Sequence, residues 1–266
     1  MPIWGKDKGK RMSITDQNAH GSDVHQEHHS TPLLEVQNVT GGYGHAQILN
    51  GVSFKLEPGQ IVSIVGPNGA GKSTLMKAIF GLVRVTGGQV VLEGKTITNM
   101  PPETLVKRGM GYVPQMKNIF PSLSVSENLE MGAYIRKDNY QPRLEEIFHL
   151  FPDLRESRRK PAGLLSGGQR NMLAMARALM LNTRVLLLDE PTAGLAPRVT
   201  LTVWERIQSI RDSGVAVLIV EQNTRMALER SAYGYVLVTG RNRFEGPGSE
   251  LLASKEVAQL YLGHES

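Results

Sequence analysis

Three observations predict an α/β fold, a parallel sheet flanked by helices with a small helical subdomain inserted into it. Short β-branched runs alternate with runs of helical spacing along the chain. Some of those runs, such as the one reading RVLLLDE, are apolar at nearly every position, as strands covered on both faces are. The β signal then disappears between about residues 120 and 175, where helical spacing takes over.

In chain order, residues 1–30 come first: polar, rich in Gly, Ser and His, and without periodicity. Such a segment buries too little apolar surface to offset its ordering entropy, so a disordered polar arm is expected, followed by one folded domain over 31–266. His20, His25, His28 and His29 could chelate a metal, but no carboxylate or cysteine framework surrounds them, and a solvated tail is the simpler reading. From Leu33 the segments LLEVQNV, VSFKLEPG, IVSIVGP and GGQVVLEG read as strands divided by Gly/Pro turns. Helical spacing begins after Gly71, in KSTLMKAIFGLV. In the 120–175 stretch, Ser124 stands three residues before Glu127, the spacing of a capping box, and three helices are expected there. Beyond it come the strand RVLLLDE, a helix from Pro197 to Arg211, the strand VAVLIVE, a helix from Asn223 to Glu229, and the strand YVLVTG.

Composition bounds the function. The 266 residues are 40% hydrophobic and carry a formal charge of +5, modest for nucleic-acid or lipid binding. With no cysteine, disulfides, Cys-ligated zinc and a thiol nucleophile are excluded. No apolar run reaches the roughly 18 residues of a membrane span, and no signal-peptide centre is present near residue 1, so a cytoplasmic protein is expected. The cluster Arg155, Arg158, Arg159, Lys160 could meet phosphate or lipid, or simply end a solvated helix.

Chemistry concentrates in three motifs. Gly66-Pro67-Asn68-Gly69-Ala70-Gly71-Lys72-Ser73 satisfies G-x-x-x-x-G-K-[ST] between an apolar strand and a helical run. Glycines there let backbone N–H groups converge on phosphate oxygens, the helix N-terminus adds positive potential, Lys72 reaches the β- and γ-phosphates, and Ser73 ligates Mg²⁺. The strand Arg184–Glu190 ends in two carboxylates. Asp189 falls at the carboxyl edge of the sheet, where it can orient Mg²⁺ and its waters, and Glu190, directed differently by strand alternation, is assigned to polarise the attacking water. The third motif is Leu165-Ser166-Gly167-Gly168-Gln169, which opens a second anion-binding helix N-terminus. One nucleotide does not easily occupy both.

With LSGGQ, the sequence resembles the ATP-binding cassette (ABC) proteins over nearly everything from Leu33 onward. The resemblance implies a P-loop cassette, a mostly parallel sheet with an antiparallel β portion and the inserted helical subdomain. It also implies two cassettes facing head to tail, so that Gly66–Thr74 of one chain and Leu165–Gln169 of the other enclose one ATP. Tyr43, in GGYG, matches the aromatic that stacks on adenine, and Gln115, in YVPQ, matches the glutamine that contacts Mg²⁺ and the attacking water. Taken alone, Tyr43 reads as a turn tyrosine and Gln115 as a polar residue after Pro114. Two positions depart from the family pattern: Gln222 stands where a histidine is usual, and Ala196 where an aspartate is. A glutamine can donate to the γ-phosphate but cannot take up a proton, so Gln222 is counted with Glu190 and Gln115 as a catalytic residue, and a regulatory cassette with little hydrolysis is the alternative.

The segments GLAP, VEQN, IFPSLSVSENLEMGAY and YLG are similar to LivF-type ATPases of branched-chain amino-acid importers and to relatives serving urea and short-chain amides. That likeness implies a second ATPase subunit, a paralogue or another copy, two membrane permease subunits and an extracytoplasmic solute-binding protein. It places the chain peripherally on the cytoplasmic face of the inner membrane. The permease contact is expected around Met116–Ser122 and the start of the helical insert, where Ile119, Phe120 and Leu123 either offer apolar contacts or pack inside the insert. A nucleic-acid partner is not expected: ABC proteins acting on DNA carry a long coiled coil between motifs, and Lys72 and Ser166 are only 94 residues apart.

Overall fold

The computed structural model describes residues 31–116 and 118–262. The polar arm and its four histidines lie outside the described residues. The chain runs β1 (Leu34–Tyr43), β2 (Ala46–Leu56), β3 (Ile61–Val65), α1 (Lys72–Ile79), β4 (Val85–Leu92), β5 (Lys95–Thr96), α2 (Pro102–Lys107) and β6 (Met110–Val113). Four helices follow: α3 (Val125–Gly132), α4 (Gln141–Leu150), α5 (Pro152–Glu156) and α6 (Gly167–Ala178). The chain then alternates through β7 (Val185–Asp189), α7 (Pro197–Asp212), β8 (Ala216–Val220), α8 (Thr224–Glu229) and β9 (Tyr233–Val238), and finishes with β10 (Arg241–Pro247), α9 (Gly248–Ala253) and α10 (Lys255–Leu262).

Two sheets result. The larger has the order β10-β9-β3-β8-β7-β6, with β9, β3, β8, β7 and β6 parallel and β10 antiparallel at one edge. The smaller is antiparallel, β2-β1-β4-β5. Strand period divides the core between them. Leu186 and Leu188 of β7, and Val217 and Ile219 of β8, enter the core shared with the helical insert. Their alternates Val185, Leu187, Leu218 and Val220 enter the core beneath α1 and the antiparallel sheet. Both faces of β3, β7 and β8 are thus covered, which is why these strands read as unbroken apolar runs.

The insert has four helices where three were expected. Proline is the reason: Pro152 starts α5, and Phe151 before it takes φ −127°, ψ 73°, outside the helical region, as a residue preceding proline tends to. Among the described residues the insert holds no strand, only an isolated bridge between Ser124 and Pro161. The capping box forms as its spacing predicts: Glu127 N donates to Ser124 Oγ at 3.2 Å and Ser124 N to Glu127 Oε2 at 2.6 Å. Val125, Leu129, Phe148 and Phe151 belong to the same continuous core as Leu186 and Leu188, so the insert leans on the sheet rather than carrying a separate core.

Candidate functional site

Parallel strands bring their carboxyl ends to one edge, and Ile64, Val220 and Asp189 stand side by side in that register. Everything chemical in the larger sheet therefore collects at the same rim. Gly66 leaves β3 at this rim, and a Cβ there would sit 2.2 Å from the carbonyl oxygen of Leu237, so no other residue fits without moving backbone. Pro67, Asn68 and Gly69 form the exposed crest, Ala70 turns inward, and Gly71 caps α1 in the left-handed region, at φ 98°. The first N–H groups of α1 point back into the loop, as helix geometry requires. Lys72 is buried and donates to the carbonyls of Gly66 (2.8 Å) and Pro67 (3.1 Å). Burial lowers its pKa, opposed by the charges of Glu190 and Asp189.

Beside the loop, Ser73 Oγ donates to Asp189 Oδ1 at 2.9 Å, and the Tyr112 hydroxyl donates to Asp189 Oδ2 at 3.2 Å. Burial and the adjacent Asp189 push the Tyr112 phenol far above its ordinary pKa, which keeps it a donor. Glu190 sits one residue beyond β7 with φ 50°, a left-handed conformation that costs about 1 kcal/mol or more for a residue with a side chain. It is held there by its own N–H, which donates to Val220 O at 2.9 Å, and its carbonyl accepts from Ala193 N at 3.2 Å. The strain turns its carboxylate away from Asp189's partners and toward two amides. Gln115 Nε2 donates to Glu190 Oε2 at 2.7 Å and Gln222 Nε2 to the same oxygen at 2.6 Å. Residues 66–73, 115, 189, 190 and 222 thus form one cluster.

Tyr43 and the LSGGQ segment stand apart from it. Tyr43 ends β1, half exposed, beside the turn to β2. Ser166 caps α6 with a second capping box, Gln169 N donating to Ser166 Oγ at 3.3 Å and Ser166 N to Gln169 Oε1 at 3.0 Å. Gly168 also has a packing role, since a Cβ there would meet Val199 of α7 at 2.3 Å. None of the hydrogen bonds of Leu165–Gln169 reaches the phosphate loop among the described residues. The segment instead abuts the turn after Glu190: Asn171 Nδ2 donates to Pro191 O at 2.5 Å, and Gly167 faces Leu195. Ala196 proves to be the N-cap of α7, with no side-chain cap bond and Pro197 next to it. Pro197 suits the first helical position, but the N–H groups of Arg198 and Val199 that an aspartate there could cap remain, so the missing cap costs roughly 1 kcal/mol.

Two residues of this rim have no role in the sequence reading: Tyr112, on Asp189, and Glu221, which accepts from Thr192 N at 3.2 Å and Thr192 Oγ1 at 2.8 Å. A signal existed for the second, a carboxylate closing a buried strand just as Asp189 closes β7. Of the apolar residues expected at a permease contact, Met116 and Phe120 are exposed, whereas Ile119 packs against the insert core. Arg177 lies over the Phe120 ring at 5.0 Å. Arg158, Arg159 and Lys160 are exposed beyond α5, and Arg155 pairs with Glu145.

A glycine-rich loop joining a parallel strand to a helix, with its lysine, a serine on a strand-end aspartate and a neighbouring glutamate, defines a P-loop nucleotide-binding protein. The family profile described as ABC transporter matches residues 49–193, and the chain belongs to that family, as its ATP-hydrolysing cassette. Over 233 residues it is 44% identical to the probable branched-chain amino acid transport ATP-binding protein LivF of Archaeoglobus fulgidus, spanning 87% of this chain and 99% of that one. It is 39% identical to the high-affinity branched-chain amino acid transport ATP-binding protein BraG of Pseudomonas aeruginosa, over 87% of this chain and all of the relative. Among solved structures, the ADP conformation of MJ1267, an ATP-binding cassette of an ABC transporter, superposes with a TM-score of 0.78 at 29% identity, covering 88% of this chain and 100% of that one. Like those proteins, this chain combines the parallel α/β core, the antiparallel β portion and the helical insert of an ABC cassette. No helix among the described residues is long and apolar enough to cross a membrane.

Proposed function

We propose that this cassette powers an importer of branched-chain amino acids, hydrolysing ATP at a site that a second cassette, a paralogue or another copy, completes. The single observation that carries this reading is the presence on one chain of two separate helix ends suited to phosphate, the cluster around Lys72 and the Ser166 cap, with no hydrogen bond between them among the described residues. Full-length likeness to LivF and BraG supports the choice of solute class.

In this reading Tyr43 stacks on adenine, the Gly66–Thr74 loop and Lys72 hold the β- and γ-phosphates, and Ser166–Gly168 of the opposing chain closes on the γ-phosphate. Glu190 is the base. Both amide donors engage its Oε2, which leaves Oε1 to accept a proton from water aimed at the γ-phosphate. Gln222 doubles as a γ-phosphate donor. The donor set of Ser73 Oγ, Asp189 and the Gln115 carbonyl is all hard oxygen, which suits Mg²⁺, and that ion when bound would neutralise charge on the phosphates. ATP contacts both cassettes only when they are closed, and that differential affinity drives closure.

The transmembrane partners are read from the surface of the insert. A cleft of about 170 Å³ between β6, α2, α3 and α6 is lined by Phe80, Val106, Tyr112, Pro114, Asn118 and Arg177. Phe120, 43% exposed, and Tyr134, 82% exposed, belong to the segments beside it. In this reading the cleft takes a cytoplasmic segment of one permease subunit and the second cassette takes that of the other, the cassette lies peripherally on the inner face of the membrane, and an extracytoplasmic binding protein delivers solute. The test is reconstitution with permease subunits and a binding protein of a branched-chain amino-acid importer. Leucine, isoleucine or valine stimulates ATP turnover. Stimulation by urea or amides alone would contradict the solute assignment, and Phe120→Glu should abolish stimulation while sparing the isolated chain's turnover.

A further inference from the structure

Glu221 is 2% exposed, in a place where a carboxylate is costly unless paired, yet its hydrogen-bond partners are all uncharged among the described residues. We propose that Glu221 is a positioning residue for hydrolysis, its carboxylate clamping the turn that follows Glu190 to the end of β8 so that Gln222 keeps its amide on Glu190. The inference rests on Glu190 being the base.

The geometry is a closed ring. Glu190 leads through Pro191 to Thr192 along the chain. Thr192 donates twice to Glu221 Oε1, from N at 3.2 Å and from Oγ1 at 2.8 Å. Glu221 leads covalently to Gln222, and Gln222 returns to Glu190 Oε2 at 2.6 Å. Opening the ring at Glu221 loosens both arms at once: the turn keeps Asn171 on Pro191 O and Glu190 N on Val220 O but loses its side-chain tie to the end of β8, and the exposed Gln222 side chain, otherwise free to rotate into water, loses part of the fixed base that aims it. A residue that acts only through such a ring moves turnover more than nucleotide affinity.

Ionisation gives the ring a signature. Burial, reinforced by the charge of Glu190, pushes the Glu221 carboxyl up to about 7, against the lowering effect of the Thr192 donors and the Gln222 N–H. Glu190 is the titratable group that faces it; Thr192 and Gln222 are uncharged. The anion accepts both Thr192 donors strongly, and the neutral acid is the poorer acceptor. Turnover should therefore rise with pH through the neutral range.

The test uses the full chain together with the cassette that completes its site, with steady-state ATP hydrolysis followed from about pH 5.5 to 9 and thermal unfolding of the chain recorded alongside. Glu221→Gln keeps an acceptor for Thr192 but is neutral at every pH. It should lower kcat about five- to twentyfold above pH 8, leave KM for ATP within about twofold, and flatten the neutral limb. Glu221→Asp, which restores a carboxylate, should bring the limb back at reduced height, and Glu221→Ala should fall below Glu221→Gln. A Glu221→Gln protein with the wild-type kcat and pH profile would overturn the clamp. So would a loss no larger than its loss of folded protein. Glu190→Gln, assayed beside it, separates the two assignments: wild-type turnover there would remove the base itself, whereas an inactive Glu190→Gln with an unaltered Glu221→Gln refutes only the clamp.

Discussion

Replacing Glu190 by glutamine removes a proton acceptor while disturbing almost nothing else. In the wild type, Gln115 and Gln222 both donate to a single oxygen, Oε2, at 2.7 and 2.6 Å. A glutamine can offer its one carbonyl oxygen to both donors and turn its amide toward solvent, so the cage persists. Gln115 and Gln222 are themselves exposed, so any bond that weakens is replaced by water, and the stability change should stay below about 1 kcal/mol, a melting shift of no more than about 4 °C for a chain of this size. Catalysis loses the base, worth about 10²- to 10⁴-fold, or about 3 to 5 kcal/mol of transition-state stabilisation. The assay is phosphate release under saturating ATP, with the oligomeric state followed by light scattering. Turnover should drop by at least a hundredfold while ATP-bound dimers accumulate, because closure survives and the step that reopens the pair does not. Steady-state hydrolysis at the wild-type rate would refute the assignment, whatever the dimer did.

Three further perturbations test other links. Lys72→Ala removes the ammonium that the loop carbonyls hold, and ATP affinity measured by calorimetry should fall at least tenfold with the fold intact. Gly66→Ala puts a Cβ 2.2 Å from Leu237 O, so circular dichroism melts should show a loss of about 1–3 kcal/mol, accompanied by loss of nucleotide binding. Glu221 makes a stability prediction of the opposite sign to its effect on turnover. Its carboxyl stands at about 7 in the fold against about 4.5 for a free glutamate, so its favourable contribution is complete below about 4.5 and disappears as pH rises through 7. Glu221→Gln should therefore gain stability relative to wild type on going from pH 5 to pH 8.5, by at most about 3 kcal/mol, read as a melting-temperature difference that widens with pH.

Legibility in the sequence followed the range of the interaction. The Gly66–Ser73 loop, the Asp189–Glu190 strand end and the Ser124–Glu127 capping box are local patterns whose residues lie within a few positions of one another, and the chain displays them outright. The doubly covered strands β3, β7 and β8 were legible because burial on both faces leaves no polar alternation to misread. By contrast β6 spans only Met110–Val113 and includes a glycine, too short to show a period, although it carries Tyr112 to Asp189 and leads to Gln115. The antiparallel sheet depends on pairing between β1 and β4, some fifty residues apart, which no local spacing encodes. The Thr192–Glu221 bonds join neighbouring parallel strand ends 29 residues apart and exist only once the register of β7 on β8 is set. Ala196 shows the converse: a departure from the family pattern proves, in the fold, to be the N-cap position of α7, a role that only the helix boundary reveals.

Whether two chains enclose one ATP is measured directly by a structure of the Glu190→Gln protein with ATP, Mg²⁺ and its mate. The γ-phosphate should be held on one side by Lys72 and on the other by Ser166 and Gly168 of the opposing cassette, or by the equivalent residues of a paralogue. A nucleotide fully enclosed by a single chain, with both Ser166 helix ends facing solvent, would contradict it.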